Sequence, residues 1–190
     1  MARPLDPTID RAITGATLEL LRERGFARMS MEAVASTAGV GKPAIYRRFR
    51  DKAELVASVI DGQLSPLEVP EAGDTRAELR TAMERGFPAD PPGYVGLIGG
   101  LIAEQERNPE LIEAFRRSVL LPRRALVRSL IERGQARGDI RADIPPTAAL
   151  DLLAGPLLAR VFAGEDTGRD WQEQAFATWW ELVSTERNAP

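Results

Sequence analysis

The chain has 190 residues, 44% hydrophobic and 28% charged, a globular balance with enough length for one domain or two small ones. It contains no cysteine and no histidine, which excludes disulfides, thiol nucleophiles, Ser-His-Asp and Cys-His catalysis, and zinc sites built on imidazole or thiolate. The net charge of -3 is unevenly spread: residues 1–56 hold 10 Lys+Arg against 7 Asp+Glu, and the remainder holds 15 against 21, so a +3 head precedes a -6 body.

A cationic head on an anionic body suggests that the head meets a polyanion. No uninterrupted run of about 18 apolar residues is present, which argues against a transmembrane helix. Met1 to Pro4 leads into polar sequence without an apolar signal region, so a cytoplasmic protein is expected, with no membrane partner. No clustered Asp/Glu pattern marks a metal site, and no cofactor is expected.

Asp6-Pro7 predicts the start of the first helix, with Thr8 a rival cap. Ile9, Ala12, Ile13, Ala16 and Leu20 recur at helical spacing, and Gly25 ends the helix, followed by Phe26 as an apolar plug. Ser30 is the candidate N-cap of a second helix, Met31 to about Ala38, whose Val34, Ala35 and Ala38 are small enough for a close helix crossing. Gly39-Val40-Gly41 then makes a turn, and a third helix runs from Lys42 to about Phe49 with Pro43 in its first turn. Two short helices joined by a Gly-containing turn form a helix-turn-helix. Ile45 and Phe49 should face inward, while Tyr46, Arg47 and Arg48 point outward or along the edge. Lys42, Arg47, Arg48, Arg50 and Lys52 are basic and only Asp51 opposes them, the pattern of a DNA recognition helix. Asp51 and Glu54 form a variant capping box for a fourth helix. Arg47 is placed to make a bidentate contact to guanine.

Gly25-Phe26 with Ser30, Val34-Ala35 with Ala38-Gly39-Val40, and Tyr46 with Phe49, Lys52 and Leu55 together resemble the DNA-binding domain of the TetR family of bacterial regulators, over residues 9–60. The resemblance implies that Ser30, Lys42, Tyr46 and Lys52 contact phosphates. It implies that Pro43, Ala44 and Arg47 face base edges in the major groove and that Arg48 lies near base or backbone. Gly41 stands where the family commonly has Ser or Thr, which removes one hydroxyl contact.

Residues 61–74 read as a connector. Helices are then predicted over 75–87 and 93–107, separated by the Pro-rich break 88–92. Another is predicted from Asn108-Pro109 to about Arg137, kinked or divided at Pro122. Gly138-Asp139 ends it. The next opens at Pro145, Pro146 or Thr147 and runs to about Phe162, bent near Gly155-Pro156; after the loop 164–168, Asp170 caps the last. The expected fold is all-α, with about nine helices: a helix-turn-helix domain (1–56) and a helical domain for ligand binding and dimerisation (57–190).

Trp179 and Trp180 are adjacent, hence about 100° apart around the helix, so one is expected to face the core and the other a partner. The expected dimer contacts are Leu150, Ala154, Leu158, Phe176, Trp179, Trp180 and Val183, in the two C-terminal helices through which the resembled family dimerises. The resemblance also implies a small-molecule pocket in the body, for which Tyr94, Ile98, Leu101, Phe115, Val119, Leu153 and Leu157 are candidate lining residues and a hydrophobic effector the expected ligand. The function expected is a homodimeric, sequence-specific repressor that binds a palindromic operator on double-stranded DNA and is released by a ligand, and not an enzyme. The competing reading is a helical small-molecule-binding or protein-adaptor module that does not bind DNA.

Overall fold

The computed structural model describes residues 6–64, 68–86, 101 and 103–185. Their regular structure is helical apart from one isolated antiparallel bridge between Ile140 and Ser184. The helices are α1 (Pro7–Arg28), α2 (Met31–Thr37), α3 (Lys42–Tyr46), α4 (Lys52–Gln63), α5 (Thr75–Gly86), α6 (Pro109–Phe115), α7 (Leu121–Arg137), α8 (Pro146–Ala163) and α9 (Arg169–Val183), with a π-helical turn (Arg116–Leu120) between α6 and α7. The chain divides into two compact units. One contains the described residues of Met1–Gln63 and Leu97–Leu120, the other those of Leu64–Gly96 and Leu121–Pro190. The expected domain boundary at residue 56 therefore falls within α4.

In the first unit, Asp6 caps α1 by accepting the Thr8 amide at 2.9 Å, so Asp6 rather than Thr8 is the cap. Ile13, Ala16 and Leu20 are buried against the helices that follow. Gly25 interrupts the helix at φ 70°, ψ 170°, a conformation that glycine adopts without steric cost, and Phe26 is buried just beyond it. α4 buries Ala53, Leu55, Val56, Ala57, Val59 and Ile60, packing α1 and also α6, whose Leu111, Ile112, Ala114 and Phe115 are buried. The helix expected from Asn108-Pro109, kinked or divided at Pro122, is widened to π geometry over Arg116–Leu120, just before Pro122. Proline has no N–H for an intrahelical bond and its ring crowds the preceding turn, and the wider turn accommodates both.

The second unit is built around Leu79, Val127, Leu130, Ile131, Leu150, Phe176, Trp179, Trp180 and Val183. Both tryptophans are buried, at 3% and 5% exposure, so the expectation that one would face a partner is corrected. The buried arc of α9 is wide because neighbours cover it from two directions. Trp179 Nε1 donates to the Ala149 carbonyl of α8 at 2.9 Å, while from α5 the Arg76 guanidinium lies over Trp180 and that of Arg80 over Phe176. Leu150, Phe176 and Val183 are likewise core residues, and of the expected dimer contacts only Leu158 is well exposed, with Ala154 intermediate. Gly168, not Asp170, is the N-cap of α9; Asp170 lies in its first turn.

α8 holds no uninterrupted apolar run of 18 residues, in keeping with the expectation. By length and composition alone it could cross a membrane, with mean hydropathy 1.3 over 18 residues. It carries Asp151 and Arg160, and buries Ala149, Leu150, Leu153 and Leu157 along one side.

A buried carboxylate ties this unit together. Glu78 in α5 is 2% exposed and accepts the Ala72 and Gly73 amides at 2.9 and 3.0 Å and Arg133 Nη2 at 3.0 Å, with Arg137 Nη1 at 3.6 Å. Burial pushes its carboxyl pKa up, but the Arg133 bond, the two amides and the Arg137 charge outweigh that and hold it below the ordinary value. Nearby, α5 and α7 meet so closely at Gly134 that an added Cβ would stand 2.5 Å from Thr75 Cγ2 and 2.9 Å from Ile140 Cδ1.

Two outcomes are expected. Gly134→Ala should lower stability by about 1–3 kcal/mol in urea titration, because Thr75 and Ile140 must move. Glu78→Gln should cost about 3–5 kcal/mol at neutral pH by leaving the arginines without their counter-charge. A depressed folded-state pKa means that Glu78 stabilises fully above the unfolded glutamate value of about 4.3 and loses this contribution as pH falls towards the folded value. The variant should therefore lose less stability than wild type on acidification below that point.

Candidate nucleic-acid interface

The interface is built on α2, the turn after it, and α3. Ser30 Oγ accepts the Ala33 amide at 3.1 Å and starts α2. Gly39 takes φ 65°, and the Val40 amide closes on the Ala35 carbonyl at 3.0 Å, which turns the chain into α3. Gly41 is the N-cap of α3 and makes no side-chain capping bond. α3 ends at Tyr46 with Arg47 as its C-cap, short of the expected end near Phe49. The bonds from the Arg47 amide to the Pro43 carbonyl at 3.1 Å and from the Phe49 amide to the Ile45 carbonyl at 2.9 Å close the turn that follows. Ile45 is fully buried, which sets the rotation of α3 and turns its other side outward.

Ser30, Lys42, Pro43, Tyr46 and Arg47 are exposed, Tyr46 by 50%. The Arg47 guanidinium has no hydrogen-bond or ion-pair partner among the described residues, so it is available. Ala44 is buried, and its small side chain serves packing. The Arg48 side chain is 5% exposed; it donates through Nε to Asp10 Oδ1 and through Nη1 to the Ala44 carbonyl at 3.0 Å. Its stem folds back over α3, so the charge braces the recognition helix against α1. Lys52 is partly buried. Its Nζ donates to the Phe26 carbonyl at 2.8 Å and lies 4.1 Å from the Phe26 ring centroid, which anchors the start of α4 to the end of α1. Asp51 accepts the Glu54 amide and Glu54 accepts the Arg50 amide, both at 2.8 Å, so the capping exchange reaches one residue further back than the usual box.

Sequence reasoning missed two acids here. Asp10, on the exposed side of α1, is the partner of Arg48. Glu32, on α2, lies 3.5 Å from Lys42 Nζ and accepts the Tyr46 hydroxyl at 3.4 Å. Its own backbone amide, then the Lys42 charge, hold its carboxyl below the usual range, so it is an anion at neutral pH. The one available signal was a Glu in the first turn of a Ser-capped helix, which also has a purely local explanation in the helix dipole.

Comparison with known proteins decides what kind of interface this is. Residues 13–59 match the family described as bacterial regulatory proteins, tetR family, and residues 69–178 match the tetracyclin repressor-like C-terminal domain. The chain belongs to the TetR family. A helix-turn-helix transcriptional regulator of Mycobacterium tuberculosis is 31% identical over 163 residues, covering 83% of this chain and 80% of its own. The DNA-binding transcriptional repressor TetR of Mycobacteroides abscessus is 30% identical, covering 83% and 84%. Among solved structures, the flavonoid-responsive regulator FrrA aligns with TM-score 0.64 at 23% identity over 95% of this chain and 98% of its own. The TetR-family regulator SCO0332 aligns with TM-score 0.61 at 25% identity over 92% and 96%. This TetR-family chain is thus a DNA-binding transcriptional regulator of all-α fold and not an enzyme.

The residues expected to line an effector pocket fall in both units. Leu101, Phe115 and Val119 are buried in the first, and Leu153 and Leu157 in the second. Tyr94 and Ile98 lie outside the described residues.

The two neighbouring arginines should separate by experiment. Arg47→Ala is expected to leave stability within about 0.5 kcal/mol and to flatten one base preference, worth about 1–3 kcal/mol, in a selection from random DNA. Arg48→Ala is expected to lower thermal stability by about 1–3 kcal/mol, because Asp10 and the Ala44 carbonyl lose their donor.

Proposed function

We propose that the protein is a repressor that binds a palindromic operator as a homodimer and is released by a hydrophobic small molecule, with the head (residues 1–56) reading DNA and the body (57–190) carrying dimerisation and effector binding. The observation that carries this reading is the exposed side of α3, where Lys42, Tyr46 and Arg47, whose guanidinium has no partner among the described residues, stand together over a buried Ile45. In this reading Lys42, Tyr46, Ser30 and the remaining donors of Lys52 take phosphates, and Arg47 takes a guanine edge. Arg48 acts by holding α3 in place.

One helix-turn-helix reads only a few base pairs, and two on a twofold axis read a palindrome with half-sites one helical turn apart. A second copy is supported by the apolar side of α8 that the chain leaves uncovered. Leu152, Leu158 and Phe162 are 53%, 41% and 72% exposed, on the side opposite buried Ala149, Leu153 and Leu157. On α9, Leu182 is 49% exposed. The proposed interface is therefore Leu152, Leu158, Phe162 and Leu182, in place of the residues that pack inward. Repression follows the M. abscessus relative, and an effector that favours one spacing of the heads by a few kcal/mol would shift occupancy strongly.

The deciding experiment measures mass in solution and duplex binding across a salt series, for the wild type and for a Leu158→Asp, Phe162→Asp double variant. The wild type should be a dimer whose DNA affinity falls steeply with salt. The variant should remain helical, become monomeric and lose operator affinity. A wild type that stays monomeric and ignores duplexes at low salt would instead favour the adaptor reading.

A further inference from the structure

Glu32 places a full negative charge on the face that the reading above presents to a polyanion. It is the second residue of α2, and its side chain is 48% exposed. Its Oε1 stands 3.5 Å from Lys42 Nζ and 3.4 Å from the Tyr46 hydroxyl, so one carboxylate oxygen spans two positions one turn apart on α3. These are two of the groups assigned to phosphates. The Lys42 side chain is itself 62% exposed, and an ion pair this open to water is weak enough to be exchanged.

Two consequences follow from elementary electrostatics. A phosphate that took Lys42 and Tyr46 together would come close to the Glu32 carboxylate, and two like charges at such separations repel even in water. This penalty applies to any DNA backbone, whatever its sequence. An ionised carboxylate is also acceptor-only, so the groove groups able to offset the repulsion are exocyclic amines. The amino group of cytosine is the usual partner of Glu in the major groove.

We infer that Glu32 is a specificity-determining residue: it holds Lys42 and Tyr46 back from arbitrary phosphates and releases them where a cytosine amino group in the half-site satisfies its carboxylate. This rests on the proposed DNA reading and deepens it, adding an acidic reader beside Arg47. Repulsion disfavours the large excess of non-specific sites, and one amine contact restores binding at the right one.

The test is a selection of bound sequences from random duplex DNA, run on the wild type and on Glu32→Gln. Affinities for the selected site and for random duplex are then measured at one fixed salt concentration, with thermal melts confirming that the variant is folded. The wild type should enrich a palindrome with a cytosine preference in each half-site. The variant should lose that cytosine preference and bind random duplex about five- to tenfold more tightly, so that the ratio of site to random affinity drops. A variant that keeps every base preference, or that gains the same factor on the selected site and on random DNA, overturns the inference and leaves the DNA reading intact. A wild type that enriches nothing overturns both.

Discussion

A helix of five residues does not persist in water, because nucleation fixes several dihedrals before hydrogen bonds repay them. α3 of this protein is that short, so every property of its exposed face depends on the surfaces that clamp it. Three contacts do so. Ile45 is buried against the rest of the head, the Gly39 turn sets where α3 departs from α2, and Arg48 ties α3 to Asp10 of α1 while closing on the Ala44 carbonyl. The third is ionic and mostly shielded from solvent on the arginine side, which makes it stronger than an open surface pair.

The cationic character of the head is shaped by how its charges are used. Of the five basic residues around α3, Arg48 is committed to Asp10, Arg50 to Asp51, and Lys52 to the Phe26 carbonyl and ring. Lys42 is held loosely by Glu32, and the Arg47 guanidinium has no partner among the described residues. The formal excess of positive charge therefore overstates what is free to meet a phosphate, and Arg47 gains weight as the group that carries sequence information.

The body solves a different problem. Its helices must form a stable unit and still leave an apolar surface. The core does the first by burying both adjacent tryptophans and by closing a charge network around Glu78, which joins the connector at Ala72 and Gly73 to α7 through Arg133 and Arg137. Among the described residues, much of the apolar surface left over is the far side of α8, where Phe162 and Leu152 meet solvent in the isolated chain.

What the sequence determined by itself was local. Asp6, Ser30 and Asp51 cap helices because short polar side chains reach a backbone amide two or three residues on, and Gly39 turns because it alone avoids a Cβ clash at positive φ. Period and turn residues likewise placed the helix-turn-helix and most later helices. Tertiary structure decided what depends on partners distant along the chain. Arg48 looks like a DNA contact until Asp10, 38 residues away, claims it. Trp179 and Trp180 cannot share a narrow stripe, yet both are buried once α8 and α5 cover α9 from two sides. Glu32 looks like an ordinary first-turn acid until the fold brings Lys42 and Tyr46 to the same oxygen. Spacing within one helix defines which residues share a side, and only packing between helices decides which of those sides is covered.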